Sequence, residues 1–153
     1  VTGVQTCALP IYTILIIAKV VFPYMSLPEL NLSIAKIALM SVLTLTAGLA
    51  AIGMGILLGI VSKTQEQSAP FGATFVVILA AVGGVWIPVF AMSPTMQIAS
   101  KTSPMNWALN GYYDIMLRNG SLIDIIPEMI LLTLFFVVFT TFALLYDKKK
   151  RTV

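Results

Sequence analysis

The stretch AKIALMSVLTLTAGLAAIGMGILLGIV, residues 35–61, decides the fold, because after Lys36 it reaches Val61 without a charged residue. A helix crossing a bilayer needs about 20 mostly apolar residues, since the hydrocarbon core is about 30 Å thick. At about 1.5 Å per residue this segment is about 40 Å long, so it crosses with tilt or overhang. Working outward, residues 70–92 contain no charge at all. Residues 125–146 carry only Glu128, in their first turn, and run into Asp147 and the cluster Lys148, Lys149, Lys150 and Arg151. A fourth apolar stretch, 12–25, has Lys19 inside it and is too short to cross alone. It reads as the surviving end of a helix whose beginning is missing. The fold expected is therefore an all-α integral membrane protein with three complete transmembrane helices and one truncated one.

Composition agrees. Apolar residues make up 59% of the 153 positions and charged ones 10%, against about a quarter charged in soluble domains. Mean hydropathy is +0.99. The net charge of +3 is concentrated in the terminal cluster, which holds four of the nine cationic residues. Because that cluster abuts an apolar span, it reads as a cytoplasmic anchor under the positive-inside rule and not as a nucleic-acid patch. Histidine is absent and Cys7 is the single thiol, which excludes His/Cys metal sites and Ser-His or Cys-His catalysis within the chain. No cofactor is expected. With the tail cytoplasmic, residues 93–124 lie outside, 62–69 inside and 26–33 outside.

Three features stand out on this scaffold. Ala47, Ala51, Gly55 and Gly59 recur every fourth residue and form a smooth stripe, either a surface for close helix packing or the small-residue content ordinary in membrane helices. In AVGGVWIPVF, residues 81–90 with the alanine before them, Gly83 and Gly84 precede Pro88 by about one turn, which predicts a kink near the outer membrane face; a gate at that point is the functional reading. Residues 94–119 predict short helices, because SPTMQ and SPMNW each place a serine N-cap before a proline at the first helical position. Gly120 falls where a C-terminal cap belongs. Trp107, Tyr112 and Tyr113 in that segment suit the membrane–water interface better than a ligand stack. The Asn31 and Asn119 glycosylation tripeptides carry no weight. Glu128 lies near a helix end and Lys19 snorkels, so neither marks an ion relay at mid-membrane.

The order of these features resembles the membrane subunit of ABC exporters of the ABC-2 type. The residues that carry the likeness are LGIVSKTQEQSAP, GGVWIPVFAMSP and TSPMNWALNGYYDIM, followed by a closing helix and a basic tail, over 12–153. The resemblance implies a permease with six spans, of which this chain holds the end of the third and all of the fourth, fifth and sixth, with re-entrant helices on the outer side before the last. It implies two permease copies, as a homo- or heterodimer, in the lipid bilayer of the cell, energised by a separate ABC ATP-binding subunit. No Walker-A pattern is present, and the family's main coupling helix has no counterpart here. Lys63, Thr64, Gln65, Glu66 and Gln67 then become the remaining contact region for the ATPase subunit. The alternative is a non-transporting, multispanning assembly or anchor protein. A membrane enzyme is the weakest reading, since no clustered Ser/Lys, Asp pair or His set appears.

Residues 1–11, VTGVQTCALPI, are polar and without pattern. They read in frame as a translated sequencing-adapter oligonucleotide, and as such stand outside the fold reasoning.

Overall fold

The computed structural model describes residues 12–21, 33–62 and 64–151. Residues 1–11 and 22–25, on which expectations about the adapter and the first span rest in part, lie outside the described residues, as does Lys63. All regular structure among the described residues is helical: α1 (Tyr12–Val21), α2 (Ile34–Val61), α3 (Gln65–Val82), a 3-10 turn at Val89–Ala91, α4 (Pro94–Ser100), α5 (Pro104–Met116) and α6 (Leu122–Arg151).

Two of these, α2 and α6, are long and apolar enough to cross a membrane. They extend about 42 and 45 Å at 1.5 Å per residue, and they agree with the spans expected at 35–61 and 125–146. The third expected span, 70–92, is not one helix. It begins five residues early, because the Thr64 hydroxyl accepts from the Gln67 amide at 3.3 Å and Glu66 in the first turn complements the helix dipole. Pro70 is accommodated because the carbonyl it leaves without a donor, that of Glu66, sits in the exposed first turn. The helix then ends at Val82, so α3 is about 27 Å long.

The helices pack with a definite polarity. Lys36 near the start of α2 donates to Asn119 just before α6 at 2.6 Å, and further along Gly53 of α2 meets Phe136 of α6. Both contacts advance together, so α2 and α6 run parallel. Gly72 faces Leu58, and Leu79 lies in a cavity with Ala47 and Met54, so α3 runs antiparallel to α2. The turn at residues 62–64 and the Lys148–Lys150 end of α6 consequently share one end of the bundle, and α4 and α5 occupy the other.

The core joins α2, α5 and α6 through Met40, Leu43, Ala50, Ile115, Ile125 and Leu132. Trp107 packs edge-on against Phe135 at 6.2 Å, and Phe135 stacks on Phe139 at 4.0 Å. The Tyr112 hydroxyl pairs with Thr44 at 2.9 Å, and Thr44 donates to the Met40 carbonyl. Trp107 and Tyr112, expected as interfacial anchors, are thus pieces of the core, and Tyr113 alone of the three is exposed. On α1, the Tyr12 hydroxyl bonds that of Ser41.

A capping box opens α6. Asp124 accepts from the Ser121 amide at 2.7 Å and from its hydroxyl at 2.9 Å. The amide bond first, then the hydroxyl, holds this exposed carboxyl, which precedes the apolar stretch, below its ordinary value of 3.8. A group with a depressed folded pKa stabilises fully above its unfolded pKa and loses that contribution as pH falls through the folded value. The stability advantage of wild type over Asp124→Asn in the full-length protein is therefore expected to shrink on acidification from about pH 5 to about pH 3. Detergent-phase melting of both proteins measures it.

Candidate functional site at the end of α3

Gly83 and Gly84 do not kink a continuing helix. They end it. Gly83 closes α3 through its amide on the Leu79 carbonyl at 2.7 Å, and Gly84 has a φ of +89°. That left-handed conformation suits a residue without a Cβ, and a Cβ there would meet Val89 at 2.6 Å. Pro88 stands beyond the helix, at the start of the 3-10 turn.

A helix that ends inside an apolar bundle leaves carbonyls that water cannot reach, and each must find a partner within the protein. The first turn of α5 supplies them. Buried Asn106 donates its side-chain amide to the Gly83 carbonyl at 3.1 Å, and Ser103 donates its hydroxyl to Leu79 at 3.0 Å. Asn110, one turn on, donates to the Asn106 side-chain oxygen at 3.1 Å and fixes its orientation. Ser103 and Ser93 do occupy the N-cap positions of α5 and α4, with Pro104 and Pro94 following, but neither caps its own helix with its side chain. Ser93 pairs with Thr95, and the Ser103 hydroxyl is committed to α3.

The far end of α5 is tied in the same way. Asp114, buried, holds the exposed Arg118 at 2.6 Å, and the Gly120 amide reaches the Asp114 carbonyl at 2.7 Å. The left-handed residue here is Asn119, with φ +52°, and not Gly120; Leu117 is the C-cap. Between the turn at 83–90 and α5 lies a cleft of about 450 Å³. A smaller apolar cavity of about 130 Å³ is enclosed by α2, α3, α5 and α6.

The small-residue stripe divides. Ala47 and Ala51 border the smaller cavity, whereas a Cβ at Gly55 or Gly59 would meet nothing within 4 Å. Each four-residue step turns about 400°, so such a stripe drifts about 40° per step away from a fixed face. The tight approach is made instead by Gly53, where a Cβ would sit 3.2 Å from the Phe136 Cα and 3.1 Å from its carbonyl oxygen. Gly111 is similar, with Leu43 at 2.8 Å.

At the opposite end, Thr64 caps α3, Gln65, Glu66 and Gln67 form its first turn, and Lys148, Lys149 and Lys150 are exposed on the last turns of α6. The backbone of Arg151 ends α6; its side chain lies outside the described residues. Among the described residues no group of three His, Cys, Asp or Glu side chains is placed to hold a metal ion. The polar layer formed by Ser103, Asn106 and Asn110 has a signal in the sequence: these three recur at three- and four-residue spacing in a segment otherwise rich in apolar residues.

The sequence profile described as "ABC-2 type transporter" matches residues 1–117. The chain belongs to the ABC-2 type transporter family. Among curated proteins, the linearmycin resistance permease protein LnrN of Bacillus subtilis is 29% identical over 92 residues, which is 60% of this chain and 23% of that protein. The chain therefore spans about a quarter of the length of the curated relative it matches. No solved structure matches it. Members of the ABC-2 family are membrane transport components and not themselves catalytic. The polar layer between α3 and α5 thus lies in a chain of a membrane transport family, and its buried side-chain bonds join the end of α3 to the start of α5.

Proposed function

We propose that this chain forms part of the permease subunit of an ATP-driven exporter in the cell membrane, paired with a second permease copy. It binds no cofactor, and a separate ATP-binding subunit hydrolyses ATP. The observation that carries this reading is membership of the ABC-2 family. The name of the Bacillus relative, a resistance permease, makes export of a toxic compound the first activity to assay.

In this reading the basic end of α6 is cytoplasmic. The start of α3 lies at the same end of the bundle, so residues 63–67 face the ATPase subunit. Thr64 and Glu66 are exposed there, in a first helical turn whose geometry is fixed by the Thr64 cap. Double charge reversal, Lys63→Glu with Glu66→Lys, in the full-length transporter is expected to lower substrate-stimulated ATPase activity by about tenfold, the equivalent of about 1.4 kcal/mol of lost coupling. Basal hydrolysis by the isolated ATPase subunit stays unchanged. Stimulated activity equal to wild type would remove this turn from the coupling contact. A protein that co-purifies with no ATPase subunit and moves no substrate would instead be an assembly or anchor protein.

A further inference from the structure

Four helices meet around the apolar cavity of about 130 Å³. Its walls include Ala47, Ala50 and Met54 of α2, Leu79 of α3, Met105 of α5 and Phe135 of α6, and no residue that lines it has a polar side chain. Where helix ends approach it, the Leu79 carbonyl already accepts from the Gly83 amide and the Ser103 hydroxyl. Pro104, at the start of α5, has no amide hydrogen to give. An ordered buried water needs about two to four polar partners. The cavity offers it none and stays dry.

The walls are made by this chain itself. Ala50, Met54 and Leu132 are 3%, 8% and 1% exposed, and further chain packed around the bundle can only lower those figures. Size then limits the guest. An engineered apolar cavity of about 150 Å³ in another protein stays dry and admits benzene or xenon, whereas sites for drug-sized ligands occupy about 300–1,000 Å³. A volume of about 130 Å³ therefore takes one ring or a few carbons. The chemistry of the wall favours the ring. Met54 and Met105 bring polarizable thioethers and Phe135 an aromatic edge or face, and sulfur–aromatic and ring–ring contacts add to the burial of apolar area.

We infer that this cavity is a binding site for one small, uncharged aromatic ring, benzene in size, held against Met54, Met105 and Phe135. The inference rests on the packing of α2, α3, α5 and α6 and is independent of the transport reading and of the orientation in the membrane.

The test uses the full-length protein, carbon-13 labelled at its methionine methyls, in phosphatidylcholine nanodiscs titrated with benzene. Met54→Leu and Met105→Leu assign the two wall signals. Met96, 40% exposed on α4, lies outside the cavity and reports benzene dissolved in the lipid. Saturable shifts are expected at Met54 and Met105, with Met96 drifting in proportion to the benzene added. Phenol is expected to half-saturate the same signals at about tenfold higher concentration, because its hydroxyl finds no partner inside. Ala47→Leu places a larger side chain in the void and is expected to abolish the saturable shifts. Ala108→Val narrows the cavity from the α5 side with a smaller change and is expected to weaken binding by about tenfold, so the test stands if Ala47→Leu fails to fold. Shifts that do not saturate, that persist at the same concentration in these filled variants, or that phenol produces as readily as benzene overturn the assignment.

Discussion

Gly53→Leu is expected to separate α2 from α6 and to abolish the folded bundle at temperatures where wild type survives. The Cβ of any larger residue would stand 3.0 Å from a ring carbon of Phe136, 3.1 Å from its carbonyl oxygen and 3.2 Å from its Cα. The ring can turn, but the other two atoms belong to the α6 backbone. A leucine therefore moves a helix. Overpacking a formed core costs about 1–3 kcal/mol where side chains can adjust, and the upper end or beyond applies where the obstacle is main chain. The loss propagates, since the same two helices carry Leu43, Ile125 and Leu132 in the core. Fluorescence-detected size exclusion of the heated full-length protein measures the effect. Gly55→Leu, two residues on and with nothing within 4 Å, is the control and leaves the melting point of the chain unchanged. Equal losses in the two variants would show that residue 53 is not special.

Gly83→Leu is expected to be comparably damaging for a different reason. A Cβ there would lie 2.7 Å from the Leu79 carbonyl oxygen, 2.8 Å from the Met105 Cβ and 2.9 Å from the Ser103 hydroxyl. The only relief is to lift the start of α5 away from the end of α3. That movement breaks the Asn106 and Ser103 bonds together. A buried polar group left without a partner costs about 1–3 kcal/mol. The Gly83 carbonyl is stranded in this way, whereas the Leu79 carbonyl loses a second donor and keeps the Gly83 amide. Asn106→Leu strands the Gly83 carbonyl without the clash and sets the scale. The expected order of melting temperatures is wild type, then Asn106→Leu, then Gly83→Leu. An Asn106→Leu protein as stable as wild type would mean that the Gly83 carbonyl does not depend on α5.

How much of this was legible in the residues follows from what each signal measures. Long apolar runs report length and hydropathy directly, so α2 and α6 were plain from residues 35–61 and 125–146. The Ser-Pro pairs located the first turns of α4 and α5, because proline's fixed φ favours the first helical position whatever surrounds it. The role of the serine hydroxyl was not legible. Ser103 bonds a carbonyl 24 residues away, and a local capping rule does not contain that partner. Residues 70–92 depart from the single span expected for a related reason. Hydropathy does not register that Gly84 adopts positive φ, and a glycine pair before a proline fits a kink and a terminus equally well. At Gly55 and Gly59 the small-residue stripe meets no neighbour among the described residues, and spacing alone does not say which face a neighbour occupies. Gly53 lies off that stripe and makes the contact. The Asp124 capping box is legible as Ser-Leu-Ile-Asp at 121–124, just before the hydrophobic boundary at 125.

The hydrogen bonds from Asn106 and Ser103 make α3 something more than a short helix. Its first turn lies at the end of the bundle with the basic tail, and its last carbonyls are clasped by α5. Most of the helix between is exposed along its length, with few side chains to hold it in place. A member fastened at one tip and free along its shaft behaves as a pushrod: an axial displacement of about 1 Å at Thr64 must reappear at Gly83, because a helix compresses little along its hydrogen bonds. Motion delivered at the Thr64 end of the bundle would arrive at the other end as a tug on α5, without any intervening loop having to change shape.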